Sequence, residues 1–295
     1  MRLHPVVERR SLLRNVNMPN EAENLPIEAG GAPTGELQPP PAPIDLAPGE
    51  IWKPRDLLLF VAIIPFALLA SKIVLLIGYA TLRPFTGWHA KADLAQSDTI
   101  FLLVQQCVFY LFILVFMFLL AQLQHQQPLW KSLGWKRPTP QQVLGYLAGG
   151  CGLALAASFW LWLLPDTQAF PLEKLFSSRT ASIAIGGFAI FIAPVVEEVV
   201  FRGLLFAILE RPVGIPIAVV TTAILFAGLH VPEYWHAWNH LFMILVVGLV
   251  FSLARGASGS LTPSILFHIG YNSLIMVGFF FSTQHFHNFS GFMGR

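Results

Sequence analysis

The fold is decided by residues 182–209, which read SIAIGGFAIFIAPVVEEVVFRGLLFAIL. Only three of these 28 side chains carry a charge, at Glu197, Glu198 and Arg202. As an α-helix the run would be about 42 Å long, enough to cross the roughly 30 Å hydrocarbon core of a bilayer with a tilt or a bend. It is predicted to be a transmembrane helix.

The composition of the whole chain also indicates a membrane protein. Hydrophobic residues make up 55% of its 295 residues and charged residues 12%, and the mean hydropathy is +0.63. So few charges cannot cover the surface of a water-soluble fold, so membrane lipid is expected to surround most of the chain. Soluble enzymes, secreted disulfide scaffolds and nucleic-acid binders are excluded. Cys107 and Cys151 lie inside apolar runs and are interpreted as core residues.

Apolar runs of spanning length follow one another from residue 57 onward, which predicts an all-α, polytopic bundle of about 7–8 transmembrane helices. None of these runs alternates with the two-residue period of a membrane strand. An eighth span would follow if the amphipathic stretch Leu129–Leu133 or part of the C-terminus inserts. The seven runs are Leu57–Tyr79, Ile100–Ala121, Val143–Leu164, Ser182–Leu209, Pro212–His230, Trp238–Ala254 and Leu261–Ser282.

Two regions are expected along the chain. Residues 1–56 are rich in proline and poor in large apolar side chains, which predicts a disordered leader that could recruit a partner. Residues 57–295 are predicted to form the transmembrane domain, with a functional core at about 180–280. If the N-terminus is cytoplasmic, eight Lys and Arg residues from Lys53 onward lie on inner segments and five lie on outer segments, which favours that orientation.

Polar residues inside the spans are costly in lipid, so they mark candidate functional positions. Glu198 and Arg202 are four residues apart and can pair on one helix face. Glu197 is rotated by about 100° from Glu198 and has no local partner, which favours a functional role. Pro194 removes a helix hydrogen bond one turn earlier and should kink the helix, which would admit water. The Glu198–Arg202 pair is interpreted either as a lock for helix packing or as support for Glu197.

Two further motifs lie on later spans. His268 and Asn272 are four residues apart and can both donate hydrogen bonds in their neutral forms, as an oxyanion site or as a contact between helices. His230 ends the fifth run, four residues after Phe226. Together with Glu197 these groups suffice to activate a water molecule for attack on an amide, with Glu197 as general base and His230 holding the water. No serine or cysteine occupies a comparable arrangement.

A metal site is the alternative for the same residues. Two histidines and a glutamate are zinc ligands, but the sequence has no His-Glu-x-x-His motif and the ligands would come from three separate helices. Neither a metal nor any other cofactor is expected.

The three motifs, Glu197-Glu198-x-x-x-Arg202, Phe226-x-x-x-His230 and His268-x-x-x-Asn272, resemble in order and type those of the CPBP intramembrane proteases. This family includes the Rce1-like CAAX prenyl endopeptidases and the Abi proteins, which process bacteriocins or confer immunity to them. The resemblance covers about residues 180–280. It implies a helical bundle with a water-accessible cavity and a glutamate-based peptidase site that opens toward the cytosol.

Carried over by position, the resemblance makes Glu197 the base, His230 its assistant, and His268 with Asn272 the oxyanion site. Glu198, Arg202 and Phe226 would support the site. The resulting hypothesis is an intramembrane endopeptidase of a bacterial-type inner membrane that cleaves a membrane-associated peptide, either CAAX-like or a leader peptide.

Three alternatives stay open at this stage. A catalytically silent family member would act as an immunity or scaffold protein. A proton-coupled transporter would use Glu197 as a relay, but it predicts inverted repeats that the sequence does not show. A purely structural bundle leaves the unpaired Glu197 unexplained.

Overall fold

The computed structural model describes residues 48–86, 99–166, 168, 171–176 and 178–288, and all regular structure in these ranges is helical. The all-α prediction is therefore confirmed. The α-helices are α1 Pro48–Ile51, α2 Pro54–Thr86, α3 Thr99–Leu119, α4 Leu129–Ser132, α5 Pro140–Leu163, α6 Arg179–Gly187, α7 Ala193–Glu198, α8 Phe206–Leu229, α9 Trp238–Ser258 and α10 Thr262–Ser282. Leu120–Gln124, Phe188–Ile192 and Val199–Leu205 are π-helical, and Pro171–Leu175 is a 3₁₀-helix.

Six helical stretches in the described ranges are long and apolar enough to cross a membrane. The seven predicted runs correspond to these six stretches. The numbers differ because the fourth and fifth runs both fall in one stretch, Arg179–Leu229. That stretch is broken at Gly214, whose φ of 77° and ψ of 164° lie outside the helical region and are readily adopted only by glycine. The segment considered as an eighth span, Leu129–Leu133, contains the four-residue helix α4, which is too short to cross a bilayer.

Most of the predicted leader, residues 1–47, lies outside the described residues, so its disorder and the division into two regions stay predictions. Residues 48–56 belong to the folded chain. Trp52 is buried and its indole Nε1 donates a 2.7 Å hydrogen bond to the carbonyl of Ser132. Asp56 is also buried and accepts from the side chain of Gln124 at 3.0 Å and from the backbone N–H of Lys53 at 2.7 Å.

Small residues bring α5 and α10 into close contact. A Cβ added at Gly150 would collide with the carbonyl of Phe267, and one added at Gly270 would collide with the carbonyl of Leu147. The backbones of the two helices therefore touch where only glycine fits, as small-residue interfaces in membranes allow. This contact sets the height of α10, which carries the third motif.

The helix that carries the two glutamates is irregular on both sides of them. π-Helical turns precede and follow α7, and turns of this kind often occur at functional sites. In the first of them, the N–H of Ala193 donates to the carbonyl of Phe188, five residues earlier. The next residue is Pro194, which has no N–H to offer the carbonyl of Ala189 in the same register.

Candidate active site

The four residues predicted as catalytic line one cavity of about 450 Å³. Glu197 reaches it from α7, His230 from the end of α8, and His268 and Asn272 from α10. The wall is otherwise largely apolar. The three motifs, which are separated by more than twenty residues along the chain, therefore meet at a single site.

Glu197 presents its carboxylate to the cavity, and 20% of its side chain is exposed. The hydroxyl of Tyr110 donates a 3.1 Å hydrogen bond to Oε1. Oε2 lies 3.9 Å from Nε2 of His268, too far for a direct hydrogen bond. Oε2 thus remains available to a molecule in the cavity.

Glu198 points away from the cavity and is fully buried with Arg202. Nη1 of Arg202 donates to Oε1 of Glu198 at 2.9 Å, Nη2 to the carbonyl of Gly248 at 2.8 Å, and Nε to the hydroxyl of Ser252 at 3.2 Å. Every guanidinium nitrogen is therefore used. The predicted pair between Glu198 and Arg202 exists, and it leaves Glu197 as the carboxylate that faces the cavity.

Phe226 lies between this ion pair and the cavity. Its ring centroid is 4.6 Å from Cζ of Arg202, a cation–π distance, and its ring meets that of His230 at 4.7 Å and that of His268 at 6.0 Å. The aromatic ring excludes water from the buried guanidinium. The structure thus gives Phe226 a physical part in the predicted support of the site.

The imidazole of His268 bridges the two glutamates. Nδ1 is 3.0 Å from Oε1 of Glu198, and Nε2 is directed toward Glu197. Because a carboxylate oxygen already paired with Arg202 can only accept, Nδ1 carries a proton. In the neutral ring Nε2 would then hold a lone pair, so His268 can donate toward the cavity only as the imidazolium. A neutral donor, as the sequence suggested, is incompatible with this geometry.

Asn272 donates through Nδ2 to the carbonyl of Ala189 at 2.7 Å. This is the carbonyl that Pro194 leaves without a donor, so the amide replaces the missing backbone hydrogen bond. The second hydrogen on Nδ2 is not used by this bond. Asn272 therefore fixes the turn that precedes Glu197 and still has a hydrogen to donate at the cavity wall.

His230 is oriented by the backbone of its own helix. Nδ1 lies 2.8 Å from the carbonyl of Phe226, which can only accept, so Nδ1 carries the proton. In the neutral ring Nε2 then has a lone pair, and His230 lines the cavity. This arrangement suits a residue that accepts a hydrogen from a bound water molecule.

Other polar residues line the same cavity and were not predicted from the sequence, among them Gln106, Tyr110, Glu233 and His240. Gln106 and Tyr110 are polar residues inside the second apolar run. Because a polar side chain inside a span is costly in lipid, their presence there was the sequence signal that could have identified them. Glu233 follows His230 by three residues. Burial raises the pKa of Glu233, the His230 charge opposes that rise, and the Glu197 charge adds to it.

An ion pair lies beside the cavity, where His240 contacts Asp166. The Asp166 carboxylate is 2.6 Å from Nδ1 of His240 and accepts the backbone N–H groups of Asn239 and His240 at 3.1 Å each. Burial alone would raise the pKa of Asp166, but these hydrogen bonds and the His240 charge hold it below its usual value.

A metal site was the alternative considered for the same residues. Within the described ranges, no group of three or more His, Cys, Asp or Glu side chains converges as metal ligands do. The absence of a cofactor stays a prediction.

Comparison with known proteins bears on the region that builds the cavity. Residues 179–274 match the family model described as type II CAAX prenyl endopeptidase Rce1-like. No curated protein and no solved structure matches the chain. The matched region contains all three motifs, and its helices lie in a multi-pass membrane protein. The resemblance drawn from the motifs is confirmed over residues 179–274, which are similar to the Rce1-like type II CAAX prenyl endopeptidases, a family of proteases.

Proposed function

We propose that this protein is an intramembrane endopeptidase that hydrolyses a peptide bond with water activated by Glu197. The single observation that carries the proposal is the difference in burial and pairing between two adjacent carboxylates. Glu198 is fully buried and paired with Arg202, whereas Glu197 faces a cavity with one oxygen available. A structural bundle has no need of such a division, and a hydrolase requires it.

The reaction begins with a water molecule held between Oε2 of Glu197 and Nε2 of His230. Both atoms accept hydrogens from the water, which directs its lone pair toward the substrate. As the water oxygen bonds to the peptide carbon, its proton passes to Glu197 and negative charge develops on the carbonyl oxygen. Glu197 then delivers this proton to the departing nitrogen as the carbon–nitrogen bond breaks.

Stabilisation of the oxyanion is assigned to His268 and Asn272. His268 as the imidazolium donates through Nε2, and Asn272 through the hydrogen of Nδ2 that Ala189 does not use. Glu198 supports this form of His268 because its carboxylate accepts the hydrogen bond from Nδ1 and lies beside the positive ring. Arg202 in turn holds the Glu198 carboxylate in place. The buried ion pair thus acts on the reaction through His268.

The substrate is proposed to be a membrane-associated peptide or protein, either CAAX-like or a leader peptide. The largely apolar cavity wall and the lipid-facing helices around it support a substrate that approaches from the membrane. We place the protein in a bacterial-type plasma membrane with its N-terminus in the cytoplasm, in contact with lipid and not with nucleic acid. The proline-rich leader is proposed to recruit a partner protein.

The test compares peptide termini in cells that express the wild type, Glu197→Gln or the matched control Glu210→Gln at equal membrane levels. Glutamine keeps the shape of the glutamate but cannot accept the proton. Glu210 lies downstream of the same motif and does not line the cavity. Specific new termini in the wild type and the control, absent from Glu197→Gln, support the proposal and identify substrates. Identical terminal peptides in all three strains overturn it and favour the scaffold alternative.

A further inference from the structure

Tyr110 contacts the candidate general base from outside the region that matches the protease family. It lies on α3, far upstream of residue 179, where the match begins. Its hydroxyl donates a 3.1 Å hydrogen bond to Oε1 of Glu197. Its ring stacks on Phe188 with centroids 5.7 Å apart and planes 17° from parallel. The first π-helical turn before Glu197 begins at that phenylalanine, so the contact ties α3 to the helix of the two glutamates.

We propose that Tyr110 is a positioning residue that orients the Glu197 carboxylate and selects Oε2 as the oxygen that takes the proton from water. A carboxylate on a flexible side chain can present either oxygen to the cavity. The hydrogen bond from Tyr110 engages Oε1, so Oε2 is left for the water. This inference rests on the proposed function but concerns the N-terminal half of the chain, to which the three motifs give no role.

A second side chain is placed to hold the Tyr110 hydroxyl. Gln106 is one helical turn earlier on α3 and lines the same cavity. Because the Tyr110 hydroxyl donates its hydrogen to Glu197, its oxygen is left to accept, and the proposal assigns the Gln106 amide as the donor to it. In this arrangement Gln106 donates to Tyr110, and Tyr110 donates to Glu197. A hydroxyl that receives one hydrogen bond and donates another has little freedom to rotate away.

The hydrogen bond also affects the reaction rate. A carboxylate held in one orientation is ready to take the proton from water, whereas a mobile one must first be oriented. Removal of one hydrogen bond to a charged group in a catalytic site typically lowers turnover by about 10- to 100-fold. We therefore expect Tyr110→Phe to lower kcat by this factor with little change in KM.

The experiment uses the full-length protein in lipid vesicles with two independent readouts. Infrared difference spectra follow the Glu197 carboxylate band, which is identified as the band missing from Glu197→Gln. Cleavage of a peptide found in the terminal-peptide comparison follows the reaction. The variants are Tyr110→Phe, which keeps the stacked ring, Gln106→Leu, and the control Tyr146→Phe. Tyr146 lies on α5 and packs against Phe267, and it does not line the cavity.

A shifted Glu197 band in Tyr110→Phe, a smaller shift in Gln106→Leu and none in Tyr146→Phe support the inference. A Glu197 band that is the same in Tyr110→Phe and in the wild type overturns it, whatever the effect on cleavage. If the band shifts but the wild type cleaves no peptide, the contact stands and the proposed function fails. Should Tyr110→Phe not fold, the Gln106→Leu band decides the inference in the same way.

Discussion

Arg202→Met should destabilise the protein strongly because the substitution leaves a buried carboxylate without its counter-ion. Both side chains of the Glu198–Arg202 pair are fully buried, and the arginine also satisfies the carbonyl of Gly248 and the hydroxyl of Ser252. Breaking a buried pair from one side typically costs about 3–5 kcal/mol. An orphaned backbone carbonyl such as that of Gly248 adds about 1–3 kcal/mol unless water reaches it. We therefore expect a loss of at least about 3 kcal/mol in the free energy of unfolding.

The same reasoning predicts that removing both charges is less harmful than removing the arginine alone. In Glu198→Met/Arg202→Met no unpaired charge remains, and the methionines fill much of the vacated volume. The double variant should therefore be more stable than Arg202→Met by at least about 1 kcal/mol, although neither should cleave peptides. The assay is reversible unfolding by denaturant in mixed micelles, with the unfolding free energy extrapolated linearly to zero denaturant. It is applied to Glu198→Met, Arg202→Met and the double variant.

Arg211→Met is the matched control, because Arg211 is exposed, and its effect should stay within about 0.5 kcal/mol. The reasoning is refuted if Arg202→Met costs no more than this control. It is equally refuted if the losses of the two single variants simply add in the double variant, since additivity means that the two charges are not coupled.

Three further predictions follow from other parts of the structure. Gly150→Ala should lower the thermal unfolding temperature because the added methyl group meets the backbone of α10. Gly145→Ala should not, because there is open space around Gly145. Equal melting temperatures of the two variants would contradict the close contact of α5 and α10. The folded pKa of Asp166 lies below its usual value, so its carboxylate stabilises the fold above about pH 4, and this contribution is lost as the pH falls through the folded pKa. The stability advantage of the wild type over Asp166→Asn, measured by unfolding titrations, should therefore shrink as the pH is lowered. A difference that stays constant with pH would argue against the contact with His240. Dialysis against a strong chelator should leave peptide cleavage unchanged, and loss of activity that zinc restores would overturn the metal-free mechanism.

Much of the fold follows from the sequence because lipid penalises every unsatisfied backbone group. Each of the seven apolar runs had to be helical, and all seven fall within helices. The same penalty identified Glu197, His268 and Asn272 as residues that need a polar or watery surrounding, and the structure brings them to one cavity. The spacing of Glu198 and Arg202 sufficed for their pair because both lie on one helix.

The remaining features depend on how helices pack, which periodicity does not encode. Tyr110 meets Glu197 only because α3 packs beside α6, which leads through a π-helical turn into α7, and nothing in the second apolar run specifies that neighbour. His268 was predicted to face the substrate as a neutral donor, yet its Nδ1 is taken by Glu198 on another helix. The bond from Asn272 to Ala189 likewise requires the π-helical register before Pro194.

The central claim, that Glu197 is the general base of a peptidase, is tested most directly by single-turnover cleavage with purified protein in vesicles. Wild type and Glu197→Gln are compared on one peptide identified in cells, with enzyme in excess so that only binding and chemistry contribute. Loss of a general base should slow the reaction by about 10²- to 10⁴-fold without weakening peptide binding. A Glu197→Gln rate within threefold of the wild-type rate would contradict the claim.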